Sequence, residues 1–155
     1  TMNSNLKKIV MTALFAALAC VATMSIRIPT PGTGGYIHPG DAIVILSGVV
    51  LGPSYGLLAA GIGSAMSDLL GGYFVYVPIT FVIKKYIAVL IGGVIDIVLV
   101  AGGYFVCEYF LYGASAAASI PANIIQGVGG LIISFVLYPV LMAIPDVKQL
   151  TYKTK

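Results

Sequence analysis

Tryptophan is absent from this chain of 155 residues, histidine occurs once, cysteine twice, and only 8% of positions carry a charged side chain. Each scarcity removes a class of protein. Soluble domains have about a quarter of their residues charged, so this chain cannot cover its surface with water. Cys20 and Cys107 lie inside apolar runs and share no ligand spacing with His38, which argues against a disulfide framework and a metal centre. No His-Glu-x-x-His, Gly-x-Ser-x-Gly or phosphate-loop run is present. Asp96 and Glu108 would stand about 18 Å apart along one helix axis, too far for a working carboxylate pair. The few basic residues are not interleaved with aromatics, so the net charge of +3 does not indicate a nucleic-acid partner.

What the chain does have is apolar length: 59% of its residues are hydrophobic and the mean hydropathy is +1.05. This composition belongs to a polytopic membrane protein, here a single all-α transmembrane domain over residues 1–155. Six crossings are expected, over 8–28, 41–51, 53–70, a short fourth from 78, 86–111 and 121–143. The first run is nearer twenty residues than the 7 to 15 of a signal-peptide core, so it reads as a span. Pro29, Pro31, Gly32, Gly34 and Gly35 make the segment after it a loop. Gly52-Pro53 makes a tight turn between the second and third helices, with Pro53 suited to a first helical turn. The second helix covers only about 16 Å, roughly half the hydrocarbon thickness, so the Pro and Gly-rich loop is expected to fill the missing depth as a lid. The fourth helix meets Lys84 and Lys85 after a handful of residues. It therefore reads as truncated, with a stretch missing between Ile83 and Tyr86.

Charge orients this arrangement. Lys7, Lys8, Lys84, Lys85, Lys148, Lys153 and Lys155 all fall on one face of the six crossings, leaving only Arg27 outside. Positive charge is retained on the cytoplasmic side, so both termini are expected inside a plasma membrane, in a bacterium. His38, Asp41, Asp68, Glu108, Asn123 and Gln126 then lie toward the outer ends of their segments, and only Asp96 lies deeper. A carboxylate at a helix centre costs about 2.5 to 3.5 kcal/mol on insertion scales, so convergent groups at one depth suggest an outward-facing polar pocket.

Each residue also has a plainer reading. Asp41 reads equally as an N-cap, and Asp68 as an interfacial residue. The rings around Glu108 fit an interface belt, Asn123 and Gln126 fit interhelical hydrogen bonding on a shared helix face, and His38 fits a locally satisfied loop residue. Ala13 with Ala17, Ala16 with Cys20 and Ala19 with Thr23 give helix one overlapping small-residue faces, for packing within the chain or against a second subunit.

Four stretches in order, Ala13 to Ala17 as Ala-x-x-x-Ala, Tyr36-Ile-His-Pro-Gly-Asp41, Gly63-Ser-Ala-Met-Ser-Asp68 and Pro121-Ala-Asn-Ile-Ile-Gln126, resemble the S components of energy-coupling factor (ECF) vitamin transporters. The resemblance covers nearly the whole chain and is strongest to the hydroxymethylpyrimidine, thiamine-precursor or pyridoxine type. It implies a six-helix subunit that captures a small heteroaromatic vitamin-like ligand from outside. Its partners would be a transmembrane coupling protein and two ATPases, which would bind the ATP and magnesium; this chain would hold no cofactor and would not itself be an enzyme. Such subunits are thought to topple in the lipid, with the loop after helix one as gate and the Ala13 and Ala17 face on the coupling protein. Glu108, Asn123 and Gln126 are then the expected polar contacts to the ligand, Tyr36 and His38 the lid, and Tyr76 and Tyr104 the stacking rings. Lys84 joins them by resemblance alone. A small polytopic enzyme and a structural or channel-like subunit are the rival classes.

Overall fold

A computed structural model describes residues 3–30, 36–87 and 93–153, with the side chains of 82–87, 93–96, 99, 152 and 153 outside the description. Helix α1 (Ser4–Ser25) starts where the Asn3 side chain accepts the Asn5 amide, and ends as Ile26 turns extended at φ −136°, ψ 122°. Two two-residue strands follow, β1 (Ile28–Pro29) and β2 (Tyr36–Ile37), paired antiparallel with Ile28 opposite Ile37. The expected loop thus has its two ends tied together. Its centre, 31–35, on which the expected lid falls, lies outside the described residues.

Helix α2 (Gly40–Leu70) is sharply broken at Gly52, whose φ of 75° and ψ of 179° are open essentially to glycine alone. The Ser47 hydroxyl reaches the Gly56 carbonyl at 3.2 Å, and a Cβ on Gly56 would fall 2.7 Å from Gly48 Cα. Residues eight apart touch only if the helix folds back on itself. The Gly52-Pro53 turn read from the sequence is therefore present, between halves of the expected lengths.

Helix α3 (Tyr76–Ile87) is the fourth helix, and its backbone stays helical through Lys84, Lys85 and Tyr86. At about 18 Å it is still short. The next helix, α4, runs Gly93–Tyr112 rather than from Tyr86, and residues 88–92 lie outside the described residues. A 3-10 turn (Gly113–Ala118) leads to α5 (Ser119–Met142), and a short α6 (Pro145–Lys153) closes the chain, unforeseen because its composition is polar.

Close contacts give the helix directions. Ser119 bonds Glu108, and Gly127 lies against Ile97, so α4 and α5 are antiparallel. Gly63 sits on the Ala16 carbonyl and Ser67 accepts from Arg27, so α1 runs parallel to the second half of α2. Phe15, Leu46, Val50, Leu51, Ala59 and Val147 cluster at the end that holds the Gly52 bend and α6, where Lys7 pairs with Asp146. The polar groups lie at the opposite end.

Burial is inverted relative to a soluble domain. Phe110 is 84% and Phe135 82% exposed, whereas Asp41 and Ser67 are fully buried. Only lipid makes such a surface favourable. Ser4–Ser25, 40–71 and 100–142 are long and apolar enough to cross a membrane.

Candidate functional site

At the polar end, α2 to α5 and the β1–β2 pair enclose a small cavity of about 20 Å³. Its wall takes Tyr36 and His38 from β2 and the turn after it, Tyr76 from α3, Tyr104 and Glu108 from α4, and Asn123 and Gln126 from α5. Seven of the eight expected ligand residues are thus brought together. The eighth, Lys84, has its backbone in α3 but its side chain outside the described residues. Asp96 is in the same position. The wall also includes Asp68, Thr30 and Thr80. The two threonines were missed because an isolated Thr, in a Pro-rich loop at 30 or an apolar run at 80, carries no motif.

Gln126 organises one side of the site. Its Oε1 accepts the His38 backbone N–H at 2.8 Å and its Nε2 donates to Asp41 Oδ2 at 2.7 Å. The amide must face this way, because only its nitrogen can donate to a carboxylate. Asp41 is therefore not the N-cap of α2. That place is Pro39, without a side-chain cap, and Asp41 lies fully buried in the first turn as the partner of Gln126. His38 Nδ1 accepts the Gly40 N–H at 3.1 Å, as expected of a locally satisfied loop histidine. An accepting Nδ1 puts the ring proton on Nε2.

The opposite side centres on Glu108, which is 2% exposed. Tyr76 donates to Oε1 at 3.2 Å and Ser119 donates to Oε2. Tyr104 shares a 2.8 Å hydrogen bond with Thr80, and its ring centroid is 6.4 Å from that of Tyr76. Asn123 is buried between these groups.

Above the cavity the strand pair is held down by aromatic and charged contacts. Tyr36 donates to Asp68 Oδ1 at 2.6 Å, and its ring centroid is 4.4 Å from that of Tyr73. The Arg27 guanidinium lies 4.8 and 5.4 Å from these two rings and donates to the Ser67 carbonyl at 3.0 Å.

A second feature lies on the outside of α1. Ala13 and Ala17 are exposed, and with Ile9, Tyr55, Leu58 and Ile62 they line a shallow apolar groove between α1 and the second half of α2. The offset alanines divide differently: Ala19 is buried, and Gly63 packs on Ala16 and Ala19.

Comparison with known proteins agrees with this arrangement. Residues 3–100 match the family of the ECF-type riboflavin transporter S component. The chain is 36% identical over 129 residues to an uncharacterised protein of Pyrococcus woesei, covering 73% of this chain and 86% of that one. It is 28% identical over 149 residues to the thiamine precursor transporter HmpT of Lactococcus lactis subsp. cremoris, covering 90% of each. With an inverted, lipid-facing surface and a buried polar site at one end, the chain belongs to the ECF-type S component family, the substrate-specific membrane subunits of vitamin-type transporters.

Proposed function

We propose that this subunit binds a single-ring heteroaromatic vitamin or vitamin precursor, of the hydroxymethylpyrimidine, thiamine-related or pyridoxine kind, from outside the cell. The observation that carries this reading is the site wall, where hydrogen-bonding groups on α4 and α5 face rings from β2, α3 and α4 across one buried space. Small-molecule sites use aromatic faces together with placed polar groups that fix orientation, and this wall supplies both. A cavity of about 20 Å³ has room for roughly one water molecule, so the site must open to admit even one ring. The similarity to a thiamine precursor transporter supports the single-ring reading.

In this reading the chain crosses the membrane six times with the Lys7 and Asp146 end cytoplasmic, and the strand pair gates the site. Delivery depends on a transmembrane coupling protein and two ATPases, which bind ATP and magnesium, and the exposed Ala13 and Ala17 groove receives the coupling protein. Binding is tested with the purified subunit by thermal shift and by mass spectrometry of copurifying compounds, using hydroxymethylpyrimidine, thiamine, pyridoxine and riboflavin. A single-ring compound is expected to stabilise it most. If riboflavin alone does so, the single-ring reading fails; if none does, the site assignment fails. Ala13→Trp with Ala17→Trp is expected to abolish uptake in cells containing the partners while leaving ligand affinity unchanged.

A further inference from the structure

One buried acceptor at the site has no partner. Asp68 is 5% exposed and lines the cavity, yet only Oδ1 is engaged, by the Tyr36 hydroxyl; Oδ2 is fully buried without a hydrogen bond. A buried carboxylate oxygen left unpaired costs more than a neutral one, of order 1–3 kcal/mol or above. No neighbouring donor among the described residues reaches it within hydrogen-bond distance. Thr80 pairs with Tyr104, and Arg27 lies over Tyr36 and Tyr73 and donates to the Ser67 carbonyl, its own Nε buried without a partner. Among the described residues Asp68 forms no ion pair. Across the cavity, both oxygens of Glu108 already accept from Tyr76 and Ser119.

We infer that Asp68 Oδ2 is a specificity-determining acceptor that takes an N–H donor from the ligand, so that the site selects amino-substituted or protonated heterocycles over their hydroxyl counterparts. This rests on the binding-subunit reading above and adds to it the ligand's functional group and the residue that reads it. The chemistry is one-sided. A cationic N–H placed beside Oδ2 favours the ionised form of the carboxyl, which only accepts, so a protonated amine or ring N–H⁺ satisfies Oδ2 with a charge-assisted hydrogen bond. A ring carbonyl or unprotonated ring nitrogen at that position leaves acceptor facing acceptor. Sites built to bond a polar group reject an analogue that cannot supply it far more strongly than apolar pockets reject a change of size. A hydroxyl can also donate, but it brings lone pairs toward the carboxylate and no positive charge.

Two matched pairs test this on the full-length subunit in lipid nanodiscs: 4-amino-5-hydroxymethyl-2-methylpyrimidine against its 4-hydroxy counterpart, and pyridoxamine against pyridoxine. Calorimetry is expected to give the amine of at least one pair a Kd tenfold or more below its partner's. Asp68→Asn should raise the amine's Kd by at least tenfold, change the hydroxyl compound's by less than threefold and so erase the preference. Tyr36→Phe, which removes the bond to Oδ1, should weaken both members alike and keep their ratio, separating ligand recognition from closure of the strand pair. Equal binding of both members by the wild type, or a preference that survives Asp68→Asn, overturns the inference and leaves the binding-subunit reading standing. Failure of all four compounds to bind overturns this inference, and failure of thiamine and riboflavin as well sinks the binding-subunit reading. A non-additive loss of ligand-free thermal stability in Asp68→Asn and Lys84→Met would make Lys84 the partner of Asp68 and also overturn the inference.

Discussion

Gln126 shows how a residue that reads as a ligand contact can spend its polar atoms on the protein. Its amide oxygen and nitrogen join the backbone of His38 to the carboxylate of Asp41, across separations of 88 and 85 residues. The sequence placed Asn123 and Gln126 on one face of a helix and left interhelical bonding and substrate binding equally open. It could not rank them, because Asp41 reaches Gln126 only through a fold so close that a Cβ added to Gly130 would fall 2.9 Å from Asp41 Cβ. A swap of the pair tests the bridge. Gln126→Glu alone sets carboxylate against carboxylate and removes the donor, and Asp41→Asn alone weakens a charge-assisted bond; each should lower the thermal midpoint. The double variant restores a donor to Asp41's position and keeps an acceptor for the His38 amide. It should recover about 1–2 kcal/mol of the summed losses, within the range of measured couplings. Additive losses in thermal denaturation would mean that the two side chains do not act together.

At the scale of the element, what could be read in advance was what local chemistry dictates. Gly52-Pro53 announced the bend in α2 because proline suits a first helical turn and glycine the backbone before it, and φ of 75° with ψ of 179° at Gly52 bears this out. The fourth helix is short, as its sequence reads, and Lys84 and Lys85 interrupt the apolar pattern without interrupting the helical backbone, because helix formation tolerates lysine well. The pairing of β1 with β2 had no signal of its own, being two residues on each side. The bend gives a direct comparison. Gly52→Ala should destabilise by about 1–3 kcal/mol, the cost of forcing a side chain into a backbone region reserved for glycine. Gly102→Ala in α4, where an added Cβ meets nothing within 4 Å, should stabilise by about 0.5–1 kcal/mol through reduced chain entropy. Paired thermal melts check both signs, and equal effects would contradict the fold-back of α2.

For the whole molecule, the proposed orientation rests on the lysine distribution, and the folded arrangement separates a basic end from the end that holds the site. Lys7 and Lys148 flank the end where α1 begins and α6 packs, and the ion pair of Lys7 with Asp146 ties the two termini there. The buried carboxylates and tyrosines gather at the other end, near Arg27. In the proposed orientation, retention of basic residues on the cytoplasmic side turns the site outward, where an importer must meet its ligand. Individual lysines carry only part of this weight, since topology follows the summed bias of the loops, so replacing Lys7 alone should not invert the chain. Labelling resolves the matter. With Cys20 and Cys107 replaced by alanine, single cysteines at Ser115 in the 3-10 turn and at Lys148 in α6 are both exposed to solvent or headgroups. A membrane-impermeant maleimide applied to intact cells should modify the cysteine at 115 and spare the one at 148 until the membrane is permeabilised. The reverse pattern would place the site on the cytoplasmic face and leave an importer's subunit unable to collect ligand from outside. Labelling of both positions in intact cells would mean that an even number of crossings separates them, so that α5 does not span, and the six-span arrangement would have to be abandoned.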